Sequence, residues 1–154
     1  MILAIDPGTE HSAIVGWDGV KVVFVEDVPN PELVEKLAHW GDTKHTKLFM
    51  ESSYPHLVIE WITGYGIPAG RETFETCRWV GRFEQAYHGQ VHLLPRQKVK
   101  QHFQAANDKF IRQALIDRLG KQGTKKNPGP LFGVTGHVLA ALAVAVAWWD
   151  QNAH

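Results

Sequence analysis

The first apolar run, "MILAID" at 1–6, closes on an acid and has the composition of a buried strand. "HSAIVGW" at 11–17 predicts a second strand. Asp18-Gly19 is a tight-turn pair, and "KVVFVEDV" at 21–28 predicts a third strand after it. Together these three read as an antiparallel meander. A helix follows, with Asn30 as its N-cap and Pro31 at its first position. It carries Leu33, Leu37 and Trp40 at helical spacing and stops at Gly41. "TKLFMES" at 46–52 predicts a fourth strand, again with an acid, Glu51, near its end. The stretch 56–70 is cut by Gly64, Gly66 and Pro68 and has no single reading.

Residues 71–88 predict a helix with Val80, Phe83 and Tyr87 on one face. "VHLLP" at 91–95 predicts a fifth strand. Helical segments follow at 98–104 and, after Asn107 as N-cap, at 107–120. A Gly/Pro/Lys loop at 121–133 leads to an alanine-rich helix at 137–149, whose small side chains let it lie close to a sheet. The order of elements predicts a single α/β domain spanning 1–154. Its five-stranded mixed sheet has an antiparallel meander of strands 1–3, then parallel strands 4 and 5, and is flanked by helices.

Composition narrows the setting. Hydrophobic residues make up 44% of 154, enough for a sizeable core. Cys77 is the one cysteine, so no internal disulfide can form, which fits a reducing compartment. The N-terminus lacks the layout of a signal peptide, and the longest apolar stretch, Val138 to Trp149, is short for a membrane span. A cytoplasmic protein with no membrane partner is expected.

Net charge is zero, but unevenly spread. Residues 1–95 hold 7 Lys and Arg against 13 Asp and Glu. Residues 96–126 hold 9 basic residues against Asp108 and Asp117. Arg96, Lys98, Lys100, Lys109, Arg112, Lys121, Lys125 and Lys126 are therefore candidates for meeting nucleic-acid phosphates, and read equally as a solvated helix face.

Asp6 and Glu51 pose the chemical question, because each ends a strand. Alone, Asp6 reads as the start of an Asx turn and Glu51 as a solvated acid. At the ends of neighbouring parallel strands, the two carboxylates would repel unless a cation lay between them, and oxygen ligands of this kind suit Mg²⁺ or Mn²⁺.

"ILAIDPGTEHSAIVGW" resembles the first motif of RuvC-type Holliday junction resolvases, members of the RNase H-like superfamily. "LFMESSY", "LLPRQKVKQHFQAANDKFIRQALIDRL" and "GHVLAALAVAVAWW" resemble later parts of that family, in order, over nearly the whole chain. The resemblance implies a homodimeric endonuclease that resolves four-way DNA junctions by paired nicks, leaving 5′-phosphate and 3′-hydroxyl ends, with two divalent ions per site. It implies Asp6, Glu51 and His137 as metal ligands, Lys100 and Lys109 near the scissile phosphate, and Tyr54 stacked on a junction base. An imidazole ligand favours Mn²⁺ over Mg²⁺.

The chain departs from the family at Ala140, where an acid is expected one turn after His137. Asp150 cannot replace it, since 13 residues of helix carry it roughly 20 Å away. In a dimer, the aromatics Phe74, Trp79, Phe83 and Tyr87 could face the partner, and they fit core packing equally. Other readings stay open: an RNase H-like nuclease acting on RNA or other branched nucleic acid, and a junction-binding protein without catalysis. An actin-like ATPase lobe would need a second lobe and a second phosphate loop.

Overall fold

The computed structural model describes residues 1–40, 54–64, 66 and 68–153. Its five strands are β1 (Ile2–Asp6), β2 (His11–Trp17), β3 (Val22–Pro29), β4 (His56–Trp61) and β5 (Val91–Pro95). The helices are α1 (Asn30–Ala38), α2 (Arg71–Ala86), α3 (Arg96–His102), α4 (Asp108–Leu119) and α5 (Gly136–Asn152). The sheet order is β3-β2-β1-β4-β5. β1, β2 and β3 pair antiparallel, while β1, β4 and β5 run parallel. This is the five-stranded mixed sheet, antiparallel then parallel, that the element order predicts.

The fourth strand differs from expectation. β4 is His56–Trp61, whereas the expected segment 46–52 lies outside the described residues. Both edges of β1 are filled, by β2 and by β4. The second acid-bearing neighbour of β1 is thus the strand "HLVIEW", whose acid is Glu60.

The two-residue period of the strands divides the core into two layers. Leu3, Ile5, Ile14, Leu57 and Ile59 face Leu33, Leu37, Val80 and Phe83 from α1 and α2. Ile2, Ala4, Ala13, Val15, Val58 and Leu94 face α5 and its neighbours α3 and α4. Asp6 has the parity of Ala4, and Glu60 that of Val58. Both acids therefore emerge on the α5 side, at the carboxyl ends of parallel strands.

α5 is buried over most of its length, with Ala141, Ala143, Ala145 and Ala147 at 0–2% exposure. The small side chains let the helix axis approach β1 and β2. Ala145→Leu is expected to overpack this contact and cost roughly 1–3 kcal/mol, read as a lowered urea midpoint with an unchanged m value.

Asn30 does something other than cap. It is fully buried inside the first turn of α1, and Pro29 holds the cap position without a side-chain bond. The Ser12 hydroxyl donates to Asn30 Oδ1 (2.6 Å), and Asn30 Nδ2 donates to the Gly8 carbonyl (3.0 Å). Gly8 N–H in turn donates to Ser12 Oγ (3.1 Å). This closed network fixes the Pro7-Gly8 turn that directly follows Asp6. A Cβ on Gly8 would stand 2.3 Å from the His11 carbonyl oxygen, so only glycine fits there.

Candidate active site

Three elements bring their ends together at the carboxyl edge of the parallel strands. β1 delivers Asp6, β4 delivers Glu60, and α5 begins at Gly136 and delivers His137. His137 Nδ1 lies 2.8 Å from Asp6 Oδ2, a contact across 131 positions of sequence. The His137 side chain is 74% exposed while that of Asp6 is 13% exposed, so the imidazole caps a largely buried carboxyl from the solvent side. Nδ1–H can donate to Asp6 Oδ2, and an ion shared by the two side chains would take the place of that proton.

The Glu60 carboxyl lies against that of Asp6. Its other partner is Arg96, the first residue of α3, which Pro95 at the end of β5 carries to the same edge. Arg96 forks between two acids: one amino group is 2.7 Å from Glu60 Oε1, the other 2.5 Å from Asp108 Oδ1. Asp108 opens α4, where Asn107 acts as the expected N-cap, accepting from the N–H groups of Lys109 and Phe110.

Burial sets the proton affinities. It raises the Asp6 carboxyl above its ordinary value, and the hydrogen bond and charge of His137 offset part of that rise. Burial, with the adjacent Asp6 charge, pushes Glu60 up to about 7, against the pull of Arg96. Such a pair favours either a shared proton or a bound cation.

In the metal-free protein the folded state therefore holds its proton on Glu60 more tightly than the unfolded chain does. That contribution is complete below pH ~4.5, the ordinary glutamate value, and is lost as pH rises through about 7. The loss amounts to at most about 3 kcal/mol. Metal-free protein is expected to melt roughly 5–10 °C lower at pH 8 than at pH 5. Added Mn²⁺ is expected to flatten that slope, as followed by thermal melts at fixed ionic strength.

An open cleft of about 570 Å³ fronts these residues, lined by Asp6, His137, Arg96, Lys109, Arg112 and Ala140 among others. Lys109 and Arg112 thus border the same cleft as Asp6 and His137. Lys100 is half-buried on α3 and does not line the cleft, while Lys98, Lys121, Lys125 and Lys126 are exposed elsewhere on the surface. Glu51 lies outside the described residues.

Tyr54 is not brought to the site. It precedes β4, whose first residue His56 pairs with Ile2 at the start of β1, so it stands at the opposite edge of the sheet. There its ring meets Tyr87 edge-on, with centroids 6.1 Å apart. The aromatic beside the second acid is Trp61, which lines a smaller cavity with Asp6 and Glu60. Of the four aromatics considered for a partner, Phe83 and Tyr87 are buried in the chain's own core, Phe74 is exposed, and Trp79 carries Arg82 over its ring at 4.6 Å.

Glu60 and Asp108 are the site residues that sequence reasoning missed. The signal for Glu60 was present: Leu57-Val58-Ile59 followed by an acid repeats the plan of Leu3-Ala4-Ile5 followed by Asp6.

Two carboxylates and an imidazole form a donor set suited to Mg²⁺ or Mn²⁺. Among the described residues, however, no group of three or more His, Cys, Asp or Glu side chains stands at metal-binding spacing. Asp6 and His137 are paired, and Glu60 is engaged by Arg96.

No family model and no curated sequence matches this chain. Solved structures do. Thermus thermophilus RuvC superposes with a TM-score of 0.66 at 16% identity, covering 97% of this chain and 95% of that one. Thermus thermophilus RuvC in complex with a Holliday junction substrate superposes with a TM-score of 0.65, also at 16% identity, covering 95% and 90%. The chain therefore has the fold of Thermus thermophilus RuvC. Among the described residues no helix is long and apolar enough to cross a membrane.

Proposed function

We propose that this chain is a divalent-metal-dependent endonuclease that cuts branched DNA, with the four-way junction as its substrate. The observation that carries the proposal is the meeting of Asp6, Glu60 and His137 at the carboxyl edge of β1 and β4, on a fold shared with a junction-bound relative. Asp6 and His137 would hold the ion, His137 through the ring nitrogen that now faces Asp6, with Glu60 adjacent. The ion held there would supply an activated water for attack on the phosphodiester and charge stabilisation at the phosphate oxygens. Lys109 and Arg112 draw the phosphate into the cleft and oppose the charge that develops on it. Lys98, Lys100, Lys121, Lys125 and Lys126 contribute to affinity through the phosphates of the DNA backbone. Paired nicks require two sites with matching symmetry, which a homodimer supplies, with 5′-phosphate and 3′-hydroxyl products and a cytoplasmic setting.

The test is a nicking assay on an immobile four-way junction, a linear duplex and an RNA–DNA hybrid, with Mn²⁺, Mg²⁺ or chelator. Paired nicks on the junction alone, lost with chelator, are expected. Mn²⁺ is expected to support faster cleavage than Mg²⁺ because of the imidazole; a clear Mg²⁺ preference would remove His137 as a direct ligand. Preferential cutting of the hybrid would reassign the substrate to RNA. Ala140 and the engagement of Glu60 by Arg96 favour one second reading, a junction-binding protein without catalysis. That reading requires tight junction binding with no nicking under either metal.

A further inference from the structure

We propose that Arg96 is a built-in cation that takes the place of one of the two divalent ions, so that the site works with a single ion on the Asp6–His137 side. The inference rests on the nuclease reading above and deepens it. Its starting point is the departure at Ala140. One turn after His137, where the family resemblance leads one to expect an acid, α5 offers only a methyl group. Ala140 borders a small cavity of about 60 Å³ shared with Glu60, Arg96 and Asp108.

A guanidinium already stands in this corner, held on two sides. Arg96 spans Glu60 at 2.7 Å and Asp108 at 2.5 Å, and the Glu60 side chain is only 7% exposed. A planar fork of donors matched to two carboxylates is a stable arrangement that a hydrated ion must displace to enter. The chain supplies this cation itself from the end of β5, so it is present whatever the metal concentration.

Charge agrees with the geometry. Asp6, Glu60 and Asp108 bring three negative charges when ionised, and Arg96 brings one positive charge. A single divalent ion then makes the cluster neutral. A second would leave two positive charges in excess, of which the single negative charge of a scissile phosphate offsets only one. A guanidinium keeps its proton throughout the working pH range, so it can stabilise phosphate charge but cannot activate water. The division of labour follows: Asp6 and His137 would hold the ion that supplies water activation, and Arg96 would offset charge on the phosphate.

The experiment counts ions. Mn²⁺ is titrated into the full chain with four-way junction DNA present, and unbound Mn²⁺ is read by electron paramagnetic resonance. Asp6→Asn with the same DNA gives the baseline for ions held by DNA. One ion per chain above that baseline is expected in the wild type, rising to two in the Arg96→Gln/Ala140→Asp double variant. Arg96→Gln alone is expected to keep one ion and to lose nicking by ~10²-fold. Two ions in the wild type, with nicking, would overturn the inference and leave the nuclease reading standing. One ion in both the wild type and a folded double variant would also overturn it. No ion above baseline together with no nicking would bring down the nuclease reading itself. Circular dichroism reports whether the double variant folds; if it does not, the wild-type count decides alone.

Discussion

Asp6→Asn is expected to reduce nicking of a four-way junction by at least about 10²–10³-fold while leaving the fold and junction affinity intact. The asparagine oxygen can still accept from His137 Nδ1, so the 2.8 Å contact survives the change. What disappears is the negative charge that an ion needs at the end of β1. The carboxyl of Asp6 is already held above its ordinary proton affinity by burial, so replacing it with a neutral amide removes a desolvation cost. Metal-free Asp6→Asn protein is thus expected to melt at or above the wild-type temperature, and least differently at low pH. The adjacent Glu60 should lose part of its upward shift, because one of its causes is the Asp6 charge. Activity within tenfold of wild type, with normal junction binding, would remove Asp6 from the chemistry. Loss of both binding and melting temperature would mean that Asp6 is a structural residue of the turn.

The meander was legible because each of its strands has a period and a bounded turn. Asp18 Oδ1 accepts from the N–H groups of Val20 and Lys21, both at 2.8 Å, and Gly19 takes φ +99°, as the Asp-Gly pair predicts. α5 was legible from its alanines. β4 was not, because a short, doubly covered parallel strand leaves no alternation to read. "LFMES" and "LVIEW" are the same pattern of apolar residues closing on an acid. The choice between them depends on which segment reaches β1, a tertiary fact. The same displacement carried Tyr54 into the expected site, since its role was tied to its distance from Glu51. His137 was placed by family likeness, and its partner Asp6 lies 131 residues away, beyond any local pattern. In the sequence Arg96 has the look of a cation for DNA. Nothing local indicated that a fork of two acids, one on β4 and one on α4, would engage it first.

The identity of the second acid can be decided by a paired substitution. Glu60→Gln is expected to lower nicking by about 10²–10³-fold, whereas Glu51→Gln is expected to stay within roughly threefold of wild type. Glu60 has the parity of Val58, emerges on the α5 side, and shares its environment with Asp6. Its removal should be tolerated by the fold. Arg96 keeps Asp108 as a partner and is about a third exposed, and the amide no longer has to be stripped of water as an ion. A second readout separates a chemical role from a structural one. The fall in melting temperature between pH 5 and pH 8 in metal-free protein comes chiefly from Glu60, so Glu60→Gln should flatten it, while Glu51→Gln should leave it in place. The reverse pattern, with cleavage lost in Glu51→Gln and kept in Glu60→Gln, would return the second ligand to the segment before β4. It would also remove the reason for linking Arg96 to the metal site, because the guanidinium would then be neutralising an acid that takes no part in the reaction.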